Sequence, residues 1–217
     1  MIASGRIEEV RVGVAAPLDG TGIVTGYRKY PVAGGRVVHE TGIEGDVQVH
    51  KKVHGGPEKA VYAYPLAGYD LWRAEFPDLA PRLGPGAMGE NLVVAGLDEA
   101  SVCLGDHIAC GSAVLQIAQP RQPCDIFAAS LGTPKVVRAM ARSARCGWYL
   151  RVLQPGTVAA GDAHDVVERP NPDWTMARFA ALIVAKAPAV GDLAEIAALP
   201  GLTRQWQLWA AQRLASA

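Results

Sequence analysis

The chain has 217 residues, 50% of them hydrophobic, and its 21 Lys+Arg balance 21 Asp+Glu for a formal net charge of zero. Such a chain can bury a full core as one large domain or as a domain with an appendage, and its neutrality excludes a basic surface for nucleic acid duplex, so any basic site must be local. The first residues lack the apolar stretch of a secretory leader, and no run approaches the roughly 20 apolar residues that span a bilayer, which predicts a soluble, cytoplasmic protein with no membrane partner.

Of the 24 glycines, 22 fall in the first 169 residues among short alternating apolar runs, the pattern of a β-rich region with tight turns. Strands are expected at Ile7–Val14, Arg36–His39, Ala60–Tyr64, Asn91–Val94, Asp106–Cys110, Ala113–Ala118, Trp148–Leu153 and His164–Glu168, and eight short strands suggest a barrel. Two helices interrupt them. One begins near Pro65 and carries Leu66, Tyr69 and Trp72; the other begins at Thr133-Pro134, a cap followed by proline, and runs to about Ser143. Pro170-Asn171-Pro172 reads as a boundary, because two prolines around an asparagine neither continue a strand nor start one. Beyond it Met176, Phe179, Ala180, Ile183 and Val184 keep the spacing of one apolar helix face. A short helix from about Asp192 to Leu199 ends at Pro200-Gly201, and Leu202, Trp206 and Trp209 mark the last. The fold class is therefore mainly β with helices (α+β), with a domain over 1–169 and a three-helix domain over 170–217. Residues 171–217 hold four Lys/Arg against three Asp/Glu, far from the basic face of a DNA-binding unit, so packing or partner docking is the better reading of the tail.

The four cysteines, Cys103, Cys110, Cys124 and Cys146, form no C-x-x-C pair, which argues against a zinc ribbon or a dithiol redox pair. Cys103 and Cys110 read most simply as core. Cys124 closes the stretch Gln119-Pro120-Arg121-Gln122-Pro123-Cys124, where two prolines stiffen the loop that follows an expected strand. Read from those residues alone, it is either a structural cysteine on a turn or a presented thiol whose thiolate a nearby Arg121 would favour. In His50-Lys51-Lys52-Val53-His54-Gly55-Gly56-Pro57-Glu58-Lys59, a Gly-Gly pair beside basic groups exposes backbone N–H donors to an oxyanion, or is simply a solvated turn. A metal pair at His50 and His54 would need a helix that Gly55-Gly56-Pro57 opposes. Gly45-Asp46 and Gly86-Ala87-Met88-Gly89-Glu90-Asn91 read, in isolation, as turns with capping side chains. From Trp148 onward, strand alternation puts Trp148, Leu150 and Val152 on one side and Tyr149 and Arg151 on the other.

In order, Gly45-Asp46, His54-Gly55-Gly56-Pro57-Glu58-Lys59-Ala60-Val61, Gly89-Glu90-Asn91-Leu92, Gln119-Pro120-Arg121-Gln122-Pro123-Cys124 and Gly147-Trp148-Tyr149-Leu150-Arg151-Val152 resemble the signature of the MOSC domain family, named after the C-terminal domain of molybdenum cofactor sulfurase. The likeness covers about residues 20–168, with Met88 where relatives commonly carry phenylalanine. The helical tail makes the chain similar to the bacterial subgroup that confers resistance to 6-N-hydroxylaminopurine, in which a MOSC β-barrel precedes a small three-helix domain.

That resemblance implies a molybdenum cofactor (molybdopterin) in a barrel pocket, with Cys124 as the protein ligand to molybdenum. It also implies donors for the pterin phosphate among Lys29, Lys59, Arg121, Arg145 and the Gly55-Gly56 amides. Asn91 and Glu90 could bond the pterin or orient a proton donor, and His54 could supply a proton. The implied activity is reduction of N-hydroxylated compounds such as 6-N-hydroxylaminopurine to the amine, a detoxification of base analogues. The chain lacks a G-x-G-x-x-G fingerprint, so electrons are expected from a separate flavoprotein. The alternatives are a sulfur carrier with a persulfide on Cys124 and a non-catalytic cofactor-binding protein. A homodimer stays open, because no heptad seam argues for one.

Overall fold

A computed structural model describes residues 1–49 and 55–216 of the chain. Its strands are β1 (Arg6–Gly13), β2 (Ala16–Pro17), β3 (Val24–Thr25), β4 (Lys29–Pro31), β5 (Arg36–His39), β6 (Gly42–Ile43), β7 (Val61–Pro65), β8 (Leu92–Ala95), β9 (His107–Cys110), β10 (Ala113–Pro120), β11 (Trp148–Gln154), β12 (Gly156–Val158) and β13 (His164–Glu168). The helices are α1 (Gly68–Glu75), α2 (Asp125–Leu131), α3 (Lys135–Ser143), α4 (Met176–Val184), α5 (Val190–Ala197) and α6 (Arg204–Leu214), with 3-10 segments at Pro57–Lys59 and Pro77–Arg82. No described helix is long and apolar enough to cross a membrane.

All eight expected strands are present with ends shifted by a residue or two, in the expected α+β class. Seven of them join β4 in one sheet ordered β13-β9-β10-β11-β7-β8-β1-β4, while β5 sits between β12 and β6 in a separate three-stranded sheet. The pairs in the large sheet are antiparallel except β7 with β8, whose parallel register requires the crossover that α1 supplies.

A closed barrel is not formed. The outer edge of β1 is divided: residues 11–13 pair with β4, and the N-terminal end meets β13 only through the isolated bridges Ala3–Val166 and Arg6–Ala163. The expected barrel is thus a sheet whose ends meet at two points, because β4 takes the part of β1 that a full ladder would need. Helix α1 also begins three residues later than expected, since Pro65 stays the last residue of β7 and Leu66 precedes the helix.

Strand alternation sorts the interior into two layers. Val61, Ala63, Leu92, Val94, Leu115, Ile117, Trp148 and Leu150 point into one cluster, whereas Tyr62, Tyr64, Val93 and Tyr149 point into a second beneath α1, α2 and α3. The first cluster continues without a break into the tail, through Trp174, Met176, Phe179, Leu193, Ile196 and Trp206. Polar joints reinforce that seam. Asn171 Nδ2 donates to the carbonyls of Leu104 (2.8 Å) and Pro200 (2.9 Å), and Thr203 Oγ1 donates to Gln119 Oε1 (3.0 Å). At the same seam Gly201 lies at φ +80°, and a Cβ there would fall 2.7 Å from Gly105 Cα. Two backbones meet where no side chain fits.

Candidate functional site

Strand β10 delivers Pro120 and Arg121 to the second layer, and Cys124 sits at the N-cap of α2 in extended conformation. The Cys124 carbonyl accepts from Ala128 N (3.1 Å), while its thiol makes no capping bond and turns to a cleft of about 590 Å3. Lys29 from β4, Asp46 and Gln48 from the loop after β6, Lys59, Tyr62 from β7, Met88 and Asn91 before β8, and Tyr149 from β11 line the same cleft. Segments far apart in sequence converge because β11, β7, β8, β1 and β4 are consecutive in the sheet.

Arg121 is the electrostatic centre. It is 3% exposed, its guanidinium lies over the rings of Tyr27 (5.8 Å), Tyr62 (5.6 Å) and Phe127 (5.1 Å), and it donates to Met140 Sδ (3.4 Å) and Cys124 Sγ (3.8 Å). Among the described residues no carboxylate lies within ion-pair distance of it. Burial opposes its charge, the facing tyrosine hydroxyls and the Cys124 thiol favour it, and the net direction is upward, so the guanidinium stays charged. Burial raises Tyr27, Tyr62 and Tyr149 against the pull of Arg121, so these hydroxyls stay neutral. Burial pushes the Lys59 ammonium downward while Glu58 opposes the shift.

Asp46 answers Lys29. Its Oδ1 accepts from Gly13 N (2.7 Å) and pairs with Lys29 Nζ, while its Oδ2 is buried without a hydrogen-bond partner among the described residues. A buried carboxylate oxygen left open on a cleft wall is a ready acceptor for a ligand N–H or a proton.

Of the residues singled out from the sequence, Lys29, Lys59, Asn91, Arg121 and Cys124 share the cleft. Of the others, those that the structure describes do not line it. Glu90 is 0% exposed and accepts from Tyr69 Oη (2.5 Å), Met88 N (3.1 Å) and Gly86 N, so its carboxylate ties the loop before β8 instead of lining the cleft. Burial pushes that carboxyl upward against these donors. Asn91 lines the cleft with both amide ends committed, Oδ1 accepting from Tyr62 N (3.2 Å) and Nδ2 donating to Arg11 O (3.2 Å). Arg145 pairs with Glu75 and lies over Trp72 (4.5 Å), away from the cleft lining. Gly56 N donates to Gln48 Oε1 (3.3 Å), and Gly56 lines a neighbouring groove; Gly55 is half-buried beside it. His50 and His54 lie outside the described residues. Tyr27 and Tyr62 were not singled out for the site, while Tyr149 and Asp46 stood in the Gly147–Val152 and Gly45-Asp46 motifs without a role assigned to either.

The cleft residues from Lys59 to Tyr149 fall within a match to a known family. The family model of the MOSC domain matches residues 50–165, more than half of the chain. This chain belongs to the MOSC domain family. Outside the family model, the MOSC protein is 38% identical to the protein YiiM of Escherichia coli over 154 residues, 71% of this chain and 68% of that one. It is 36% identical over 161 residues to a protein of Gibberella moniliformis named a reductase, covering 74% of this chain but 28% of the fungal protein. The crystal structure of YiiM from Geobacillus stearothermophilus superposes with a TM-score of 0.81 at 29% identity, covering 97% of this MOSC protein and 99% of that chain. MOSC domains are associated in general with binding of the molybdenum cofactor.

Proposed function

We propose that this protein is a molybdenum-cofactor-dependent reductase of N-hydroxylated compounds such as 6-N-hydroxylaminopurine. The observation that carries the reading is Arg121, a buried cation with no carboxylate among the described residues, whose guanidinium touches a cleft-facing thiol. Ring contacts offset the cost of desolvating this charge in the ligand-free protein but leave its hydrogen-bond donors for an anion, and a phosphorylated, metal-bound pterin is anionic. The donor set fits the group: Cys124 Sγ would ligate the metal, Arg121, Lys29 and Lys59 would hold anionic oxygens, and Asp46 Oδ2 would accept a ring N–H or hold a proton. When bound, the cofactor supplies a two-electron centre at which oxygen leaves nitrogen.

Overall, R–NH–OH takes up two electrons and two protons and yields R–NH2 and water. Around that chemistry the chain binds and shields. Tyr27, Tyr62 and Tyr149 form an aromatic wall that excludes water and suits a planar heterocycle. Arg121 holds the Cys124 sulfur in place, and Glu90 fixes the loop bearing Met88 and Asn91. Asp46 Oδ2, in the same lining, would be the open acceptor for a ligand N–H. The electrons would come from a separate flavoprotein, and the physiological role would be removal of mutagenic base analogues. The reductase name of the fungal relative supports the reaction class.

The test is molybdenum and pterin content of protein made in a host competent in cofactor synthesis, native against Cys124→Ser, followed by conversion of 6-N-hydroxylaminopurine to adenine with a chemical reductant. Near-stoichiometric molybdenum that vanishes in the variant is expected. No molybdenum in either, with cyanide-labile sulfur on the native chain alone, would replace this reading by a persulfide carrier.

A further inference from the structure

Tyr27 and Lys29 have two sides. One faces the cleft, and the other faces a second, open groove of about 680 Å3 lined by Arg11, Arg28, Arg82, Tyr30 and the Pro85–Ala87 turn. Four cations line this groove, counting Lys29, and no carboxylate does among the described residues. In a chain with no net charge, that concentration is local.

Three of these cations have carboxylate partners outside the groove lining. Glu9 pairs with Arg11, Asp19 with Arg28 and Asp46 with Lys29, while among the described residues Arg82 meets only the carbonyls of Leu131 (3.0 Å) and Ser130. Arg11 is fixed as well as buried, its Nε and Nη2 donating to Lys29 O at 3.2 and 2.8 Å. Gly86 makes room for it, because a Cβ there would lie 2.7 Å from Arg11 Nη2. Fixed guanidinium forks beside an exposed arginine and a lysine are the usual equipment for phosphate oxygens. Tyr30, 59% exposed, adds an aromatic edge to the rim.

We infer that the groove binds the phosphate of a nucleoside phosphate whose base occupies the aromatic cleft across Tyr27. The substrate class would then be purine nucleotides as well as free bases. The nucleoside half of this assignment rests on the reductase reading, whereas the phosphate half rests on the groove alone.

Calorimetric titration of the purified full chain with adenosine, adenosine 5′-monophosphate and inorganic phosphate, with and without loaded cofactor, tests it. The monophosphate should bind at least about tenfold more tightly than adenosine in both forms. Arg28→Gln, at an exposed side chain, should shrink that advantage severalfold, and Arg28→Gln with Arg82→Gln should erase it with an unchanged far-UV spectrum. Equal binding of the two ligands, or an advantage that survives the double substitution, would overturn the assignment. An advantage that disappears once cofactor is loaded would give the groove to the cofactor's own phosphate and would equally overturn it. The cofactor-free arm of the titration needs no molybdenum, so the reductase reading can fail while the phosphate half of the assignment stands.

Discussion

Arg121 sits where two large terms nearly offset. Desolvation of a cation costs several kcal/mol, and three ring contacts return about 0.5–2 kcal/mol each. Arg121→Met should therefore change the stability of the ligand-free protein by only about 1 kcal/mol in urea denaturation, yet lower retention of the anionic cofactor at least about tenfold. Glu90 behaves differently, since it accepts from three donors in a sealed site. Glu90→Gln turns an amide NH2 toward N–H groups and should cost about 1–3 kcal/mol. Tyr69→Phe, which removes one of the three bonds, should cost less. His164 sets the acid limit. Burial lowers its pKa from 6.5 to about 4, beside Cys110 Sγ at 3.5 Å. Between those values the unfolded chain binds a proton that the folded chain refuses, so stability is full above pH 6.5 and falls by about 3 kcal/mol as pH drops to about 4. Denaturant midpoints measured across that window should show the slope, and His164→Leu should flatten it.

Glu58 fastens the tail to strand β11 of the sheet. Its Oε1 accepts from Arg151 Nη2 (3.2 Å) and from Arg204 N (3.3 Å) at the start of α6, a helix whose own N-cap, Thr203, gives no capping bond. Glu58→Ala should cost about 1 kcal/mol in thermal or urea unfolding, the usual value of a lost helix cap. Helix α4 carries a conventional cap, Thr175 Oγ1 accepting from Arg178 N, and Thr175→Ala should cost a similar amount. Elements such as β7, β10 and β11 were legible in the sequence because both layers are apolar and their alternation is undisturbed. Strand β4 was not, since Lys29-Tyr30-Pro31 is three residues long, ends in proline and exists because β1 pairs with it. Helix α2 is not legible because it is seven residues long and follows Pro123 and Cys124 with no side-chain cap to mark its start. The cleft was half legible. Cys124, Arg121 and Lys59 stand in recognisable motifs, but Asp46 and Tyr27 matter only through the register that sets Lys29 beside Gly13.

One continuous apolar cluster joins the sheet to the tail, which predicts a single cooperative transition. Trp174, Trp206 and Trp209 report on the tail, and far-UV dichroism weighs the whole chain. The two signals should give the same midpoint, and a chain cut after residue 169 should lose cooperative unfolding. Separate midpoints would show instead that residues 170–217 fold alone. The contact of Gly105 with Gly201 bears on how freely this sequence can drift. Both backbones occupy left-handed conformations, a Cβ at Gly201 would lie 2.7 Å from Gly105 Cα, and one at Gly105 would lie 2.7 Å from Asn171 Nδ2 and 2.9 Å from the Pro200 carbonyl, so neither position tolerates a side chain although neither lines the cleft or the basic groove. A saturation library selected for function should be as intolerant at these two positions as at Cys124. The two classes would part on assay for folded protein, with Cys124 variants still abundant and the glycine variants lost.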